Sequence, residues 1–250
     1  MLGDACRSDS CGLLAGLAPE VLSDLAPAVE CLPIGSELVV PADPSPRVRI
    51  LLQGWATRHK TLNDGRRQIT GFMFAEDMGS SWTPADGYID HGARTLTACR
   101  MLSVHGERLA DLARRTPVIG TRVRRANLAD FAILNAWLVN LGQRKAPERI
   151  AHLLCELSYR LRLTRSGAGP AHNFLPLAQQ DIADALGLTS VHVNRVVQRL
   201  RANGFIEVRK GALILRDPAG LAKLCDFDAT YLSGVIPYGG DAQPLTGTGR

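Results

Sequence analysis

The chain has 250 residues, 46% hydrophobic and 21% charged, so it is long enough for two domains and too apolar to be disordered. Its formal net charge is +5, and arginines crowd residues 107–165 and 195–216, which favours an anionic partner without identifying it. No run approaches the roughly 18 apolar residues of a membrane span, and the start lacks a secretory signal pattern, so we expect a cytoplasmic protein.

The first hundred residues change from helical to strand periodicity. Residues 13–31, LLAGLAPEVLSDLAPAVEC, have helical spacing with proline at first-turn positions and predict one or two short helices. From Ile34, runs rich in Val, Ile, Thr and aromatic residues alternate with turn-forming segments. The runs are IGSELVV, VRILLQGWATRHKTL, RQITGFMF and ARTLTACRMLSV. They predict a small antiparallel barrel or jelly roll.

After the strands, Gly106 to Arg165 has helical spacing with its main break at Pro117. Residues 117–141 carry a stripe of period 3.5 to 3.6: Val123, Leu128, Phe131, Leu134, Asn135, Leu138 and Leu141. A helix of about 25 residues is about 37 Å long, more than the cover that a small barrel needs. The stripe therefore predicts pairing with a second copy, in which Asn135 either fixes the register or faces solvent.

The next segment predicts a DNA-binding motif. Residues 147–163 form another amphipathic helix, and RSGAGPAHN is a flexible connector. Residues 178–186 predict a helix, Gly187 a turn, and Thr189 the N-cap of a second helix that ends at Asn203-Gly204. FIEVR and ALILR, joined by Lys210-Gly211, predict a hairpin. Helix, turn, helix and hairpin together indicate a winged helix-turn-helix.

The second helix of this motif carries one apolar residue on its polar face. If Val193, Val196, Val197 and Leu200 form the buried stripe, Val191 lies nearly opposite, at about 100° per residue. In a helix-turn-helix this face enters the major groove, where the thymine methyl is an apolar partner and guanine fits an arginine. The alternative is that Val191 packs against the first helix. We expect DNA contacts from Thr189, Ser190, Val191, His192, Asn194, Arg195, Gln198, Arg199 and, on the wing, Arg209.

Two stretches have a familiar pattern. QQDIADALGLTSVHVNRVVQRLRANGFIEV resembles the helix-turn-helix of the Crp/Fnr family of bacterial transcription regulators, and GWATRHKTLNDGRRQITGFMFAEDM resembles the strands of its sensor barrel. The resemblance implies an α+β fold: an N-terminal antiparallel β jelly-roll barrel of the cyclic-nucleotide-binding type, a long dimerisation helix and a C-terminal winged helix-turn-helix. The corresponding domains are residues 1–108, 109–145 and 146–232, followed by residues 233–250, which we expect to be a disordered tail.

The same resemblance implies a homodimer that binds double-stranded DNA at an inverted-repeat operator and recruits or blocks RNA polymerase. By position, Arg195 matches the family's base-reading arginine. Many members have Glu four residues earlier, where this chain has Val191. Without that carboxylate an acceptor for the cytosine amino group is lost, so we expect a thymine opposite Val191.

The effector of the barrel is not identified by the sequence, and no cofactor or metal is assigned. The Gly-Glu-Leu stretch of cyclic-nucleotide-binding members is missing, and Arg94-Thr95 lies too near the following strand to be their phosphate clamp. The chain has no C-x-x-C pair, and in a cytosolic chain of this size we expect reduced thiols, several of them core-facing. An iron–sulfur cluster is the less favoured interpretation of Cys6, Cys11, Cys31 and Cys99. Haem binding through His59, His91 or His105 is an alternative that the sequence leaves open.

Two other classes of function compete with a DNA-binding regulator. One is a redox or small-molecule sensing module, for cyclic nucleotide or haem, whose main output is not direct base readout. The other is an enzyme, which we do not expect because the chain has no nucleophile–base set, no H-E-x-x-H and no phosphate-binding glycine loop.

Overall fold

The computed structural model describes residue 25 and residues 27–39, 47–75, 77–78, 91–163 and 173–233. Two compact units divide these residues: the first lies within 1–66 and 70–130, and the second within 67–69 and 131–250. Most of the predicted N-terminal helices and of the connector, the C-terminal tail, Cys6 and Cys11 lie outside the described residues. None of the helices within those ranges is long and apolar enough to cross a membrane.

Antiparallel strands form two sheets. The first has the order β1 (Ala28–Leu32), β7 (Cys99–His105), β3 (Arg47–Gln53). The second has the order β2 (Glu37–Val39), β6 (Gly92–Thr95), β4 (Ala56–Thr61), β5 (Arg67–Met73). All four predicted runs contain strands, and the mixed α and β architecture with a jelly-roll-type sheet pair confirms the expected fold class.

The prediction of helical structure over residues 13–31 is wrong for residues 28–31, which belong to β1. They pair with β7, with Ala28 opposite Ser103 and Cys31 opposite Arg100. Pro27 precedes the strand, and backbone pairing with a neighbouring strand outweighs the weak local preference for helical spacing. The sequence alone gave no partner for this segment.

Two helices follow the sheets. α1 (Gly106–Arg115) ends at Thr116, whose extended backbone is the conformation favoured before proline, and α2 (Pro117–Gln143) begins at the predicted break. One core cluster combines Val48, Ile50 and Val104 of the first sheet with residues of α1 and α2, including Leu109, Ile119 and Val123. Val123 is 4% exposed, so the prediction that it lies on the outward stripe of α2 is wrong.

After the C-terminal part of α2, the second unit continues with α3 (Ala146–Leu163), and its last described helices are α6 (Pro218–Cys225) and α7 (Thr230–Ser233). Between them lie α4 (Gln179–Leu186), α5 (Ser190–Ala202) and a sheet of order β8 (Phe174–Leu175), β10 (Ala212–Leu215), β9 (Ile206–Arg209). The predicted two helices and hairpin are confirmed. The two-residue strand β8, which adds a third strand to the wing, was missed because its run is too short to show alternation.

A buried polar cluster joins three helices of the second unit. Glu156 of α3 is fully buried, and its carboxylate accepts hydrogen bonds from Trp137 Nε1 at 3.0 Å and from the Tyr231 hydroxyl at 2.8 Å. Burial raises the pKa of Glu156 despite the nearby charge of Arg160. His152 packs beside the cluster, against the rings of Phe227 and Tyr231. These contacts fix α2 and α7 against α3.

Candidate DNA-binding surface

The turn between α4 and α5 is built by local backbone geometry. Gly187 has a φ of 62° and caps α4 in the left-handed conformation, which costs glycine no steric strain. Thr189 begins α5 as its N-cap, with its hydroxyl oxygen accepting a hydrogen bond from the His192 backbone N–H at 3.2 Å. Both features match the sequence prediction, and together they set the direction in which α5 leaves the turn.

The inner face of α5 is the predicted apolar stripe. Its four residues are 0% to 3% exposed: Val193, Val196, Val197 and Leu200. Val191 is 71% exposed, so it does not pack against α4. An isolated valine on a polar helix face is the feature that the sequence singled out, and it faces outward.

Three polar residues share this outward face with Val191. Asn194, Arg195 and Gln198 follow it at the i+3, i+4 and i+7 spacing of one helix face, and all are exposed. Gln198 Nε2 donates a weak 3.4 Å hydrogen bond to Asn194 Oδ1, so both amides keep further donors and acceptors. The face therefore presents one methyl pair, one guanidinium and two amides side by side.

Positive charge flanks this face without acidic partners. Within the described ranges, neither Arg195 nor Arg199 forms an ion pair, and the first turn of α5 contains no acidic residue. His192 and Thr189 are exposed at the same end of the helix. An exposed helix N-terminus without a carboxylate is electrostatically suited to a phosphate group.

One contact near this surface was missed by the sequence analysis. The Ser190 hydroxyl donates to Gln180 Oε1 at 2.5 Å, and Gln180 Nε2 donates to Asp184 Oδ1 at 2.6 Å. Ser190 is consequently half-buried and tied to α4, at the margin of the outward face. The only sequence signal is Gln180 in the first turn of α4, which is too general to have been found in advance.

The wing places further arginines at the surface. Lys210 and Gly211 both have positive φ, 50° and 79°, the combination that closes a two-residue hairpin. Arg209 is exposed at the end of β9. The one carboxylate of this hairpin, Glu207, accepts a hydrogen bond from Arg216, which lowers its pKa, as do the charges of Arg209 and Arg201. The hairpin thus keeps a positive balance.

The predicted stripe of α2 is largely exposed. Leu128, Phe131 and Leu138 are 61%, 64% and 70% exposed, and Asn135 is exposed between them. Leu134 is 47% exposed beside them. Four large apolar side chains on one helix face are an unusual solvent surface for a folded chain.

Candidate effector residues of the first unit are scattered. Arg94 Nε donates to the Gly35 carbonyl oxygen at 3.0 Å, and the Thr95 hydroxyl donates to the Pro33 carbonyl oxygen at 2.8 Å, so both pack against the turn after β1. His59 is buried and His105 exposed. Cys99 is buried, and Cys31 is exposed. Among the described residues, no group of three or more His, Cys, Asp or Glu is arranged to bind a metal ion.

Comparisons with known proteins agree with this architecture. Residues 148–224 match the Crp-like helix-turn-helix domain family. The chain is 30% identical to the transcriptional activator protein FnrL of Cereibacter sphaeroides over 191 residues, which cover 75% of this chain and 76% of FnrL. It is 30% identical to the nitrogen fixation regulation protein FixK of Bradyrhizobium diazoefficiens, covering 70% of this chain and 72% of FixK.

A solved structure has the same fold. FixK2 from Bradyrhizobium japonicum superposes with a TM-score of 0.70 at 22% identity, covering 79% of this chain and 96% of FixK2. A CooA mutant from Carboxydothermus hydrogenoformans superposes with a TM-score of 0.66 at 16% identity, covering 85% of this chain and 93% of CooA.

Proposed function

The chain belongs to the Crp/Fnr family of transcription regulators with a helix-turn-helix DNA-binding domain, and from this premise we propose that α5 reads base edges in the major groove of an inverted-repeat operator. The observation that carries the proposal is the outward face of α5. Val191 is 71% exposed there, in line with Asn194, Arg195 and Gln198. A solvated helix face gains nothing from an isolated valine, whereas a major groove offers it a thymine methyl.

Three residues of the face have distinct roles in this proposal. Arg195 donates two hydrogen bonds to the O6 and N7 atoms of a guanine, and Asn194 pairs with the mixed donor and acceptor edge of an adenine. Val191 contacts a thymine methyl. Arg199 and, on the wing, Arg209 contact phosphates, which position the domain without reading sequence.

We propose further that the regulator is a homodimer joined through α2. The exposed apolar residues Leu128, Phe131 and Leu138 recur at the spacing of a coiled-coil seam. Two-fold pairing would bury them and would present two copies of α5 to half-sites about 34 Å apart, one turn of DNA.

In this proposal, the first unit controls the activity of the regulator. An unidentified signal acts on the barrel and shifts the equilibrium between different arrangements of the two paired α2 helices, and this arrangement sets the spacing of the two α5 helices on DNA. Contact with RNA polymerase is proposed because FnrL, at 30% identity, is named a transcriptional activator.

The test is selection of random duplex DNA by the purified, reduced protein without added ligand. An inverted repeat with guanine and thymine at fixed positions in each half-site supports the proposal. The selection is repeated after air oxidation and with cyclic AMP, because a motif recovered in only one of these samples identifies the class of signal. Recovery of no motif in any sample contradicts the proposed base readout.

The dimer is tested separately by placing a charge on the α2 face. Leu138→Glu should weaken self-association by at least about 30-fold, measured by sedimentation, because a carboxylate would be buried in the seam. Gln143→Glu adds the same charge at an exposed position of the same helix and serves as the control. Equal self-association of both variants would contradict the proposed seam.

A further inference from the structure

Two side chains at the start of β5 form hydrogen bonds with α4, the first helix of the helix-turn-helix. Residues 67–69 belong to the second compact unit, together with residues 131–250. Arg67 contacts two carboxylates of α4, and Gln68 contacts its backbone near the last turn. Both contacts join residues more than 110 positions apart, so they are part of the packing of the second unit and not of the local turn.

Arg67 binds two carboxylates on one face of α4. Its Nε and Nη2 atoms lie 2.9 and 2.8 Å from Asp184 Oδ2, and Nη2 donates to Asp181 Oδ1 at 3.2 Å. The side chains of Arg67, Asp181 and Asp184 are only 21%, 13% and 14% exposed. The two carboxylates are three residues apart on the helix, where like charges repel. The guanidinium offsets this repulsion and fixes the orientation of Asp184.

Gln68 holds the other end of α4. Its Nε2 atom donates to the Ala185 carbonyl oxygen at 3.0 Å. Ala185 lies in the last turn of α4, where the carbonyl groups have no hydrogen-bond partner within the helix. The turn at Gly187 follows two residues later. Gln68 therefore fixes α4 close to the point at which the chain turns into α5.

A chain of hydrogen bonds continues from Arg67 to α5. Asp184 accepts from Arg67 with Oδ2 and from Gln180 Nε2 with Oδ1, the latter at 2.6 Å. Gln180 Oε1 in turn accepts from the Ser190 hydroxyl at 2.5 Å. Ser190 is the first residue of α5. Three hydrogen bonds thus connect Arg67 to the start of the helix that carries Val191 and Arg195.

We propose that Arg67 is a positioning residue for base reading, which acts through Asp184 and Gln180 on Ser190 and so fixes the orientation of α5. This inference rests on the proposed function, in which α5 reads base edges. Base readout requires side chains held to within about 0.5 Å, and supporting hydrogen bonds provide this precision. Phosphate contacts depend less on such precision, because they carry no sequence information. Loss of Arg67 should consequently reduce specificity more than general affinity for DNA.

The first test compares the affinities for the selected operator and for a random duplex, measured by fluorescence anisotropy on the full chain. Arg67→Gln should lower the ratio of the two affinities by on the order of 5- to 10-fold. Arg66→Gln is the matched control, because it removes the same charge at the exposed neighbour that pairs with Asp64, and it should keep the ratio. Equal ratios in the two variants would overturn the proposal.

Arg67→Lys keeps the charge but replaces the planar fork of donors by one ammonium group. Its ratio of operator to random-duplex affinity should lie between those of the wild type and Arg67→Gln. If the lysine variant matches Arg67→Gln, the geometry of the guanidinium is what matters; this also supports positioning. Full recovery of the wild-type ratio would show an effect of charge alone and would contradict positioning by hydrogen bonds.

A double-mutant cycle tests the chain of hydrogen bonds itself. Gln180→Ala interrupts it at an exposed side chain and leaves Arg67 paired with both carboxylates, so this variant tests the chain without uncovering a charge. Arg67→Gln and Gln180→Ala should each lower the affinity ratio, and in the double variant the two effects should not multiply, since both act through Asp184. Fully multiplicative effects would overturn the proposed route to Ser190.

Hydrogen exchange without DNA separates this inference from the proposed function. The backbone N–H groups of His192 and Val193 are both bonded to Thr189 in the first turn of α5. Their exchange should be faster in Arg67→Gln and unchanged in Arg66→Gln. Unchanged exchange in Arg67→Gln would overturn the positioning role, whatever DNA is selected. Faster exchange, with no motif selected by the wild type, would support the link to α5 and contradict base reading.

Discussion

Arg58 of the first unit and two arginines of the second unit have opposite environments. In the first unit, Arg58 of β4 makes two hydrogen bonds to the Asp130 carboxylate, at 2.5 and 2.6 Å, and its side chain is 12% exposed. In the second unit, Arg195 and Arg199 are exposed and, within the described ranges, form no ion pair. A buried arginine that lacks its carboxylate is costly, whereas an exposed and unpaired one is free to bind an anion. For these three arginines, the presence or absence of a carboxylate partner separates a structural role from a ligand-facing role.

The largest effect should come from breaking the buried pair. Burial acts to lower the pKa of Arg58, but the charge and hydrogen bonds of Asp130 outweigh it and raise that pKa overall. Asp130→Asn would leave the guanidinium buried without its counter-charge, so unfolding by urea should show a loss of about 3–5 kcal/mol. Asp64→Asn, which removes the partner of exposed Arg66, should leave stability unchanged. Equal effects of the two variants would contradict the structural role of Arg58.

A second prediction concerns acid stability of the second unit. Burial, aided by the charge of Arg144, lowers the pKa of His152 from 6.5 to about 4. Between these values the unfolded chain binds a proton that the folded chain does not, so stability should fall as the pH falls from about 6.5 to about 4. The contribution of His152 is about 3 kcal/mol.

His152→Phe isolates this contribution, because the phenyl ring keeps the packing against Phe227 and cannot bind a proton. Burial raises the pKa of Glu156, so Glu156 favours the folded state as the pH falls, in the opposite sense to His152. Because Glu156 is present in both the wild type and the variant, its contribution cancels in the comparison. The difference in unfolding free energy between pH 7 and pH 4.5 should therefore be smaller in the variant. The control is His105→Phe, at an exposed histidine, which should keep the wild-type difference in unfolding free energy between pH 7 and pH 4.5. An equal decrease of this difference in both variants would contradict the assignment of the pH dependence to His152.

The third prediction separates base reading from phosphate contact on the exposed surface. Arg195→Ala should weaken binding to the selected operator by about 1–3 kcal/mol and relax base preference at one position of each half-site. Arg209→Ala should weaken binding to all duplexes by a similar factor. It should also reduce the slope of log affinity against log salt concentration by an amount that corresponds to about one phosphate contact. Fluorescence anisotropy on operator and random duplexes at several salt concentrations measures both. Identical behaviour of the two variants would contradict their separate roles.

The second unit was largely predictable from sequence because its signals are local. Gly187 supplies the left-handed cap, Thr189 the N-cap, and Lys210-Gly211 the hairpin turn, and each depends only on neighbouring residues. The spacing of the valines in α5 fixed which face is buried, and Val191 was correctly expected to face outward. Long-range partners are not needed for any of these features.

Features that depend on long-range pairing were not predictable. Residues 28–31 became a strand because β7 pairs with them, and Val123 turned inward because the core of the first unit covers that side of α2. The pair Arg58–Asp130 joins residues that are distant in sequence, so no local spacing predicts it. The same holds for the hydrogen bond from Ser190 to Gln180, which crosses the turn between two helices.

Base reading by α5 is tested by duplex selection with the wild-type protein and with Val191→Glu, side by side. We expect an inverted repeat with a thymine opposite Val191 for the wild type. In the variant, that thymine should be replaced by a base pair that offers a cytosine amino group to the new carboxylate. Thr121→Glu, which adds a carboxylate far from α5 in the sequence, is the control and should select the wild-type motif. An unchanged motif for Val191→Glu would contradict base reading by this face of α5.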